Sequence, residues 1–264
     1  MQQRSTTRFF LWAYALTWLP QLPSVLARRG VIAGPPEKYL ALAGLGALGP
    51  MIAAVIESAR EDGREGVRAL FRPMKRWSMA PYWYAVALLL PGALLAAGLA
   101  GYGLVTGRDP GPLLYPPIEP ERIVAAALFP LGEEIGWRGY AQPRLTASRG
   151  PLAASAIIGA LWAFWHLPMF DLAALPLRVM LSTLPMFIAG GVLFTWLYVR
   201  TGGSLLLAVL LHVGAHLNNS HRALPSNPVP AAVHTVMYVL FAIALLVLDR
   251  ETFARSSAPR ATNP

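Results

Sequence analysis

Residues 122–142 read RIVAAALFPLGEEIGWRGYAQ, an apolar stretch whose second half carries three ionisable side chains, Glu133, Glu134 and Arg138. At 1.5 Å per residue, a helix of this length crosses the roughly 30 Å of hydrocarbon in a bilayer. An ionisable side chain at mid-membrane costs roughly 2.5–3.5 kcal/mol on the translocon scale. The three groups therefore need partners or water inside the protein, which predicts a functional site.

The rest of the chain has the composition of a polytopic membrane protein. Of its 264 residues, 55% are hydrophobic and only 13% are charged, which favours an all-α transmembrane bundle. The first apolar stretch is longer than a signal-peptide core and has no clear cleavage site, so we expect it to be retained. About eight spans are predicted: Phe9–Ala27, Tyr39–Glu57, Pro81–Val105, Arg122–Gln142, Pro151–Phe170, Leu177–Val199, Ser204–Asn219 and Val229–Leu248.

The distribution of Lys and Arg predicts the orientation of this bundle. The two ends and the connections after spans 2, 4 and 6 hold 14 of these residues, and the opposite connections hold 7 when Arg122 and Arg178, at the adjoining span ends, are counted with them. The positive-inside rule then places both termini in the cytoplasm. We attribute the net charge of +9 to this topology and to contact with membrane lipids, and expect no nucleic-acid binding. The chain has no cysteine, which excludes disulfides and thiolate chemistry.

The largest basic cluster lies between the second and third predicted spans. Residues 58–79 contain five Arg and one Lys, and Val67, Leu70, Phe71 and Met74 fall at helical spacing on one face. This pattern is typical of a short helix that lies on anionic headgroups. We interpret the segment as an anchor of the orientation.

The two acids of the fourth span are predicted to have different roles. Glu134 and Arg138 are spaced i, i+4 with the acid first, the favourable order for an ion pair along a helix. Glu133 lies about 100° further round the helix, so we assign it as the catalytic carboxylate that activates water and Glu134 as the orienting one. Pro130 and Gly132 are expected to break or kink the helix. Alternatively, the charged residues lie at a helix end in the headgroup region.

The fifth span places a histidine on a stripe of mostly small residues. Ser155, Gly159, Trp162 and His166 follow the spacing of one helix face. Small residues on this face would let a neighbouring helix approach closely, with His166 at one end of the contact. A lone intramembrane histidine is more often a hydrogen-bonding residue than a catalytic one.

The seventh span carries two histidines one turn apart. Val209, His212, His216 and Asn219 lie on one face. The histidine pair could bind a divalent metal such as Zn²⁺, donate N–H groups to a developing oxyanion, or bond neighbouring helices. Two further histidines are predicted to be non-catalytic: His221, in a connection, and His234, in the last span.

At these residues the chain resembles the CPBP family of intramembrane proteases, also called the Abi or CAAX-protease family, which includes the type II prenyl-protein endopeptidase. The family has an EExxxR motif, an aromatic-xxx-His motif and a His-xxx-Asn motif on successive helices. Their counterparts here are Glu133-Glu134 with Arg138, Trp162 with His166, and His212 with His216. The resemblance covers about residues 77–219 of a single protease domain, 1–264, whose tail, 254–264, we expect to be disordered.

Two residues depart from the family pattern. Trp162 replaces the commoner Phe, and His216 stands where Asn is usual, so Asn219 on the same stripe is an alternative source of the amide. The resemblance implies that Glu133 and His166 activate water and that the last motif stabilises the oxyanion. The family has been described both as metalloproteases and as metal-free glutamate enzymes, so Glu133, His166, His212 and His216 are also candidate metal ligands.

The resemblance therefore implies an intramembrane endopeptidase acting on a membrane-associated peptide or protein. We expect a multi-pass protein of the plasma membrane of a bacterial cell. Buried Glu, Arg and His also serve as proton relays, so a proton-coupled transporter is one alternative, although the sequence has no repeated half. A catalytically silent immunity or scaffold protein of the same family is another.

Overall fold

The computed structural model describes residues 2–109, 120–172, 177–217 and 229–254, and the regular secondary structure in these ranges is entirely helical. The predicted all-α class is confirmed. The α-helices are α1 (Gln2–Arg28), α2 (Leu40–Leu45), α3 (Gly49–Phe71), α4 (Pro81–Thr106), α5 (Pro120–Glu134), α6 (Gln142–Trp165), α7 (Leu167–Leu172), α8 (Leu177–Arg200), α9 (Leu205–Leu217), α10 (Val229–Leu248) and α11 (Arg250–Ala254). A π-helix spans Ile135–Ala141, and 3₁₀ turns span Pro36–Tyr39, Gly46–Leu48 and Arg72–Lys75.

Several of these helices are apolar enough to lie in a membrane. By length and composition, Pro36–Lys75, Pro81–Thr106 and Thr183–Arg200 can each cross one, and Leu205–Leu217 and Ala232–Leu248 are shorter apolar helices. The predicted spans Phe9–Ala27, Arg122–Gln142 and Pro151–Phe170 are also helical, and they contain buried polar side chains. These include Thr17, Gln21, Glu133, Glu134, Arg138, Gln142 and Ser155. The count of eight spans and the orientation of the termini stay predictions. The predicted tail beyond Ala254 lies outside the described residues.

The packing brings α5, α6 and α9 to one region of the bundle. The helix α6 packs along α8, which packs on α10, while α4 packs on α9 and α10, and α5 packs on α9. On the other side, α1 packs on α3, and α3 packs on the π-helix. Aromatic side chains fill the centre between them, with Phe9, Trp137, Tyr140 and Trp165 fully buried.

Glycines set the close contact between α6 and α8. A Cβ added at Gly159 would lie 2.8 Å from the Ile188 Cα, and one added at Gly191 would lie 2.5 Å from the Ser155 carbonyl oxygen. The close approach predicted from Ser155 and Gly159 is therefore confirmed. It fixes the position of the end of α6, where His166 follows directly.

The sequence predicts a break or kink at Pro130 and Gly132. The chain does not break there, because α5 continues as a helix through Glu134. The change comes one residue later, where the wider π-helix begins at Ile135. The glycines of this stretch serve close packing instead. A Cβ on Gly132 would lie 2.7 Å from the Ala47 carbonyl oxygen, and one on Gly136 would lie 2.5–2.6 Å from Pro50.

The basic segment forms the expected short helix at the C-terminal end of α3. The helix α3 is interrupted at Asp62 and Gly63, where the Gly63 φ of 57° lies in the left-handed region that favours glycine. After this break, residues 64–71 form a separate helical piece. Leu70 is buried, whereas Arg68 and Arg72 are exposed. One apolar and one basic face are thus present.

A tight turn connects α8 to α9. Gly202 and Gly203 have φ of 60° and 82°, a conformation that suits glycine. The Ser204 hydroxyl accepts a hydrogen bond from the Leu207 backbone N–H at 3.4 Å and donates one to the Arg76 carbonyl oxygen at 2.7 Å. Ser204 therefore caps α9 and ties its start to the segment after α3.

The Gly159 contact predicts a position-dependent effect of a single methyl group. Gly159→Ala places a Cβ against backbone atoms of α8 and should lower the free energy of unfolding by about 1–3 kcal/mol. In Gly101→Ala, on α4, the added Cβ meets no atom within 4 Å, and alanine's better helix propensity should leave stability unchanged or raise it by up to about 1 kcal/mol. Thermal unfolding in detergent measures both, and equal shifts would contradict the proposed packing.

Candidate active site

Glu133 is held by a hydrogen bond from α6. Its carboxylate is buried at the end of α5, and the Trp162 indole N–H donates to Oε2 at 2.7 Å. This bond joins the first two sequence motifs across two helices. It engages one carboxylate oxygen and fixes the direction of the other, which is what a water-activating base requires.

Glu134 receives two donors on the same oxygen. The Arg138 Nη1–H donates to Oε1 at 3.0 Å, and the His212 Nδ1–H donates to it at 2.8 Å. The predicted pairing of Glu134 with Arg138 is confirmed, and both side chains are almost fully buried. The guanidinium group of Arg138 also lies 4.1 Å from the Phe194 ring centroid. The aromatic face therefore replaces part of the water that would otherwise solvate this cation.

The bond to Glu134 determines the tautomer of His212. Because a carboxylate only accepts, the proton is on Nδ1, and in the neutral ring Nε2 carries a lone pair. This Nε2 faces the His216 Nε2 at 3.2 Å, so His216 donates to it. In its neutral form, His212 can therefore bind a cation or accept a hydrogen bond at Nε2. It can donate a hydrogen bond from Nε2 only as an imidazolium, which the Glu134 carboxylate stabilises.

Packing on α4 turns this histidine pair inward. Gly214 lies on the side of α9 opposite His212 and His216, and a Cβ added to it would lie 2.6 Å from the Leu88 carbonyl oxygen. The contact fixes α9 so closely to α4 that its histidine face has to point toward α5 and α6.

Glu133, His212 and His216 form a group that could hold a metal ion. One ligand atom from each lies within 4.8 Å of the other two. The two Nε2 atoms are 3.2 Å apart, close to the roughly 3.3–3.4 Å expected for two nitrogens on a tetrahedral Zn²⁺ at 2.0–2.1 Å. The bond between Glu134 and His212 Nδ1 also has the form of a carboxylate–histidine–metal arrangement. The residues therefore fit a divalent cation.

His166 is not part of this group, although it is a predicted ligand. It follows the end of α6, and its Nδ1–H donates to the Trp162 carbonyl oxygen at 2.8 Å. Because a carbonyl only accepts, the Nε2 of the neutral ring carries the lone pair. Its ring lies 4.4 Å from that of Phe187. His166 is thus connected to Glu133 through Trp162, whose backbone and indole contact one residue each.

A largely apolar cavity of about 250 Å³ lies beside these groups. His166, His212 and His216 line it, and so does His234, which is predicted from the sequence to be non-catalytic. The spacing of His234 and Tyr238, i and i+4 in an apolar helix, is the signal that could have indicated a polar face on α10. Asn219, the alternative amide donor, lies outside the described residues. The other lining residues are Trp162, Met169, Phe170, Thr183, Met186, Phe187, Gly190, Phe194, Ala215 and Tyr238.

Comparison with known proteins identifies a family that is similar to the motif-bearing segment. Residues 120–218 match the family described as type II CAAX prenyl endopeptidase Rce1-like. This motif-bearing segment is thus similar to the Rce1-like family. The match contains all six of Glu133, Glu134, Arg138, His166, His212 and His216, and it confirms the resemblance inferred from the motifs. Together with the apolar helices, it indicates a membrane protein.

A curated relative also has a CAAX prenyl protease name. The chain is similar to "CAAX prenyl protease 2" of Methanococcus maripaludis, with 29% identity over 143 residues. The alignment covers 50% of this chain and 49% of the relative, so the chain spans about half the length of the curated relative it matches.

The buried ion pair predicts a large loss of stability when one partner is removed. Arg138→Met leaves the Glu134 carboxylate buried with a single donor and should lower the free energy of unfolding by about 3–5 kcal/mol. Arg138→Lys keeps the charge and should lose less. Arg68→Met removes an exposed pair with Glu65 and should shift thermal unfolding in detergent little. A similar shift for Arg138→Met and Arg68→Met would contradict the structural role of the buried pair.

Proposed function

We propose that the protein is an intramembrane endopeptidase that hydrolyses a peptide bond of a membrane-associated substrate. The observation that carries the proposal is the convergence of Glu133, His212 and His216 from two helices in a buried group, beside an apolar cavity. The Rce1-like match supports a protease rather than a transporter or a silent scaffold. The name of the archaeal relative suggests a prenylated CAAX peptide as the substrate class.

In the proposed reaction, Glu133 is the general base. It takes a proton from a water molecule, and the resulting hydroxide attacks the scissile carbonyl carbon. When the tetrahedral intermediate collapses, the carbon–nitrogen bond breaks and the proton passes to the leaving amine. The Trp162 indole holds one carboxylate oxygen, and His166 assists the proton transfer through its Nε2 lone pair.

The oxyanion is stabilised by the histidines of α9. His216 donates from Nε2, and His212 donates from Nε2 when it is protonated. Glu134 stabilises that imidazolium through its bond to Nδ1, and Arg138 keeps Glu134 in place. Glu134 and Arg138 are accordingly positioning residues, and Asn219 is an alternative donor of the oxyanion site.

Glu133, His212 and His216 also fit a divalent cation such as Zn²⁺. When bound, the cation would supply Lewis-acid polarisation of the carbonyl oxygen and of water. The site of this reaction would be the plasma membrane, with both termini in the cytoplasm, and we expect a bacterial source.

Glu133→Gln should abolish cleavage. The amide keeps the shape of the side chain and an acceptor for the Trp162 indole but cannot take up a proton, so we expect kcat to fall by about 10²–10⁴-fold. The measurement is hydrolysis of a fluorogenic membrane-anchored peptide by protein in liposomes. Glu65→Gln, in the exposed basic segment, is the matched control and should cleave as the wild type does. Full activity in Glu133→Gln would exclude the proposed base.

The metal site is tested by binding rather than by activity. After chelation and incubation with Zn²⁺, the wild type should retain about one Zn²⁺ per chain by mass spectrometry, and Co²⁺ should give the visible absorption of a tetrahedral site. His216→Asn, which introduces the residue usual in the family, should lose both signals because one ligand is missing. Zn²⁺ retention that is equal in wild type and His216→Asn would mean that these residues do not hold the ion.

A further inference from the structure

The cavity beside the site contains a fourth imidazole. His234, on α10, is 4% exposed and lines the cavity together with His166, His212 and His216. The edge of its ring meets the Tyr238 ring at 4.7 Å between centroids and an angle of 83°. His234 comes from a helix that carries none of the three motifs, and the proposed hydrolysis does not use it.

Most of the cavity wall that α8 contributes is apolar. The helix α8 contributes Met186, Phe187 and Phe194 to this wall, together with Thr183. The Thr183 hydroxyl donates within its own helix to the Met180 carbonyl oxygen at 2.8 Å. The polar side chains that α10 brings to the cavity are His234 and Tyr238.

A peptide that reaches the site needs hydrogen bonds for its whole backbone. The catalytic groups interact with the scissile peptide group. The neighbouring N–H and C=O groups of the substrate enter the same largely apolar space, where a missing hydrogen bond is costly. An imidazole can donate with one nitrogen and accept with the other. It therefore suits either group of a peptide bond.

We propose that His234 is a substrate-binding residue that hydrogen-bonds a backbone peptide group of the substrate next to the scissile bond. This inference rests on the proposed endopeptidase function. It gives α10, which carries none of the three motifs, a role in the site. A packing role against Tyr238 would instead require only a flat ring at this position.

The test compares peptides in which one backbone amide at a time, on either side of the scissile bond, is replaced by an ester. The ester removes the N–H donor and weakens the carbonyl acceptor. In the wild type, one position should lower kcat/KM by about 3- to 10-fold, the range of a single net hydrogen bond. In His234→Phe, which keeps an aromatic ring against Tyr238, the same ester should change kcat/KM by less than about 2-fold.

Two variants control for indirect effects. His234→Phe should raise KM for the amide peptide. His234→Gln keeps donor and acceptor groups, so it should recover part of the ester effect and have a KM closer to that of the wild type. Thr235→Val changes the next residue on α10, which does not line the cavity, and should show the full wild-type ester effect. An ester effect as large in His234→Phe as in the wild type, at every position, would overturn the inference.

Failure of the proposed function can be distinguished from failure of this inference. If the wild type does not cleave the peptides, the endopeptidase proposal fails. The same amide and ester peptides are then compared by fluorescence anisotropy, where Kd replaces kcat/KM for wild type, His234→Phe and His234→Gln. In either assay, an ester effect at one backbone position that His234→Phe removes supports the binding role. Ester effects that are the same in wild type and His234→Phe exclude it.

Discussion

One carboxylate oxygen, Glu134 Oε1, holds the site together by accepting hydrogen bonds from Arg138 and His212. A charge buried this deeply is tolerated only when it is paired and hydrogen-bonded. The requirement links α5 to α9 and sets the rotation of α9 about its own axis. It also directs the His212 Nε2 toward His216. Because Arg138 and His212 hold Glu134 in this structural pairing, we propose that the neighbouring Glu133 is the carboxylate used for chemistry.

Residue 216 changes what the family pattern can do at this position. An asparagine offers an amide, whereas an imidazole at Nε2 either donates a proton or binds a cation. With His212 held as the Nδ1–H tautomer, the two Nε2 atoms face each other at 3.2 Å. When both rings are neutral, the pair therefore has one proton between the two Nε2 atoms, and the same two atoms could instead bind one cation. The sequence change thus alters the chemical range of the site.

Features that depend on local spacing could be predicted from the sequence. The ion pair of Glu134 and Arg138 follows from the i, i+4 rule, and the close approach of α6 and α8 follows from Gly159 on the stripe with Ser155. The indole bond to Glu133 and the place of His234 in the cavity could not be predicted, because each depends on how separate helices pack. The predicted break at Pro130 and Gly132 was wrong for a related reason: Gly132 allows close contact with neighbouring backbone, and the helix widens only at Ile135.

The turn between α8 and α9 fixes the position of His212 in the bundle. Ser204 caps α9 and is tied to the Arg76 carbonyl oxygen, and His212 follows eight residues later, about 12 Å along the helix axis. In the proposed function, an extended peptide that enters from the level of Ser204 has to span the same distance to meet His212. Extended chain covers at most about 3.3–3.6 Å per residue, so by this route at least three to four residues of extended substrate precede the bond that is cut.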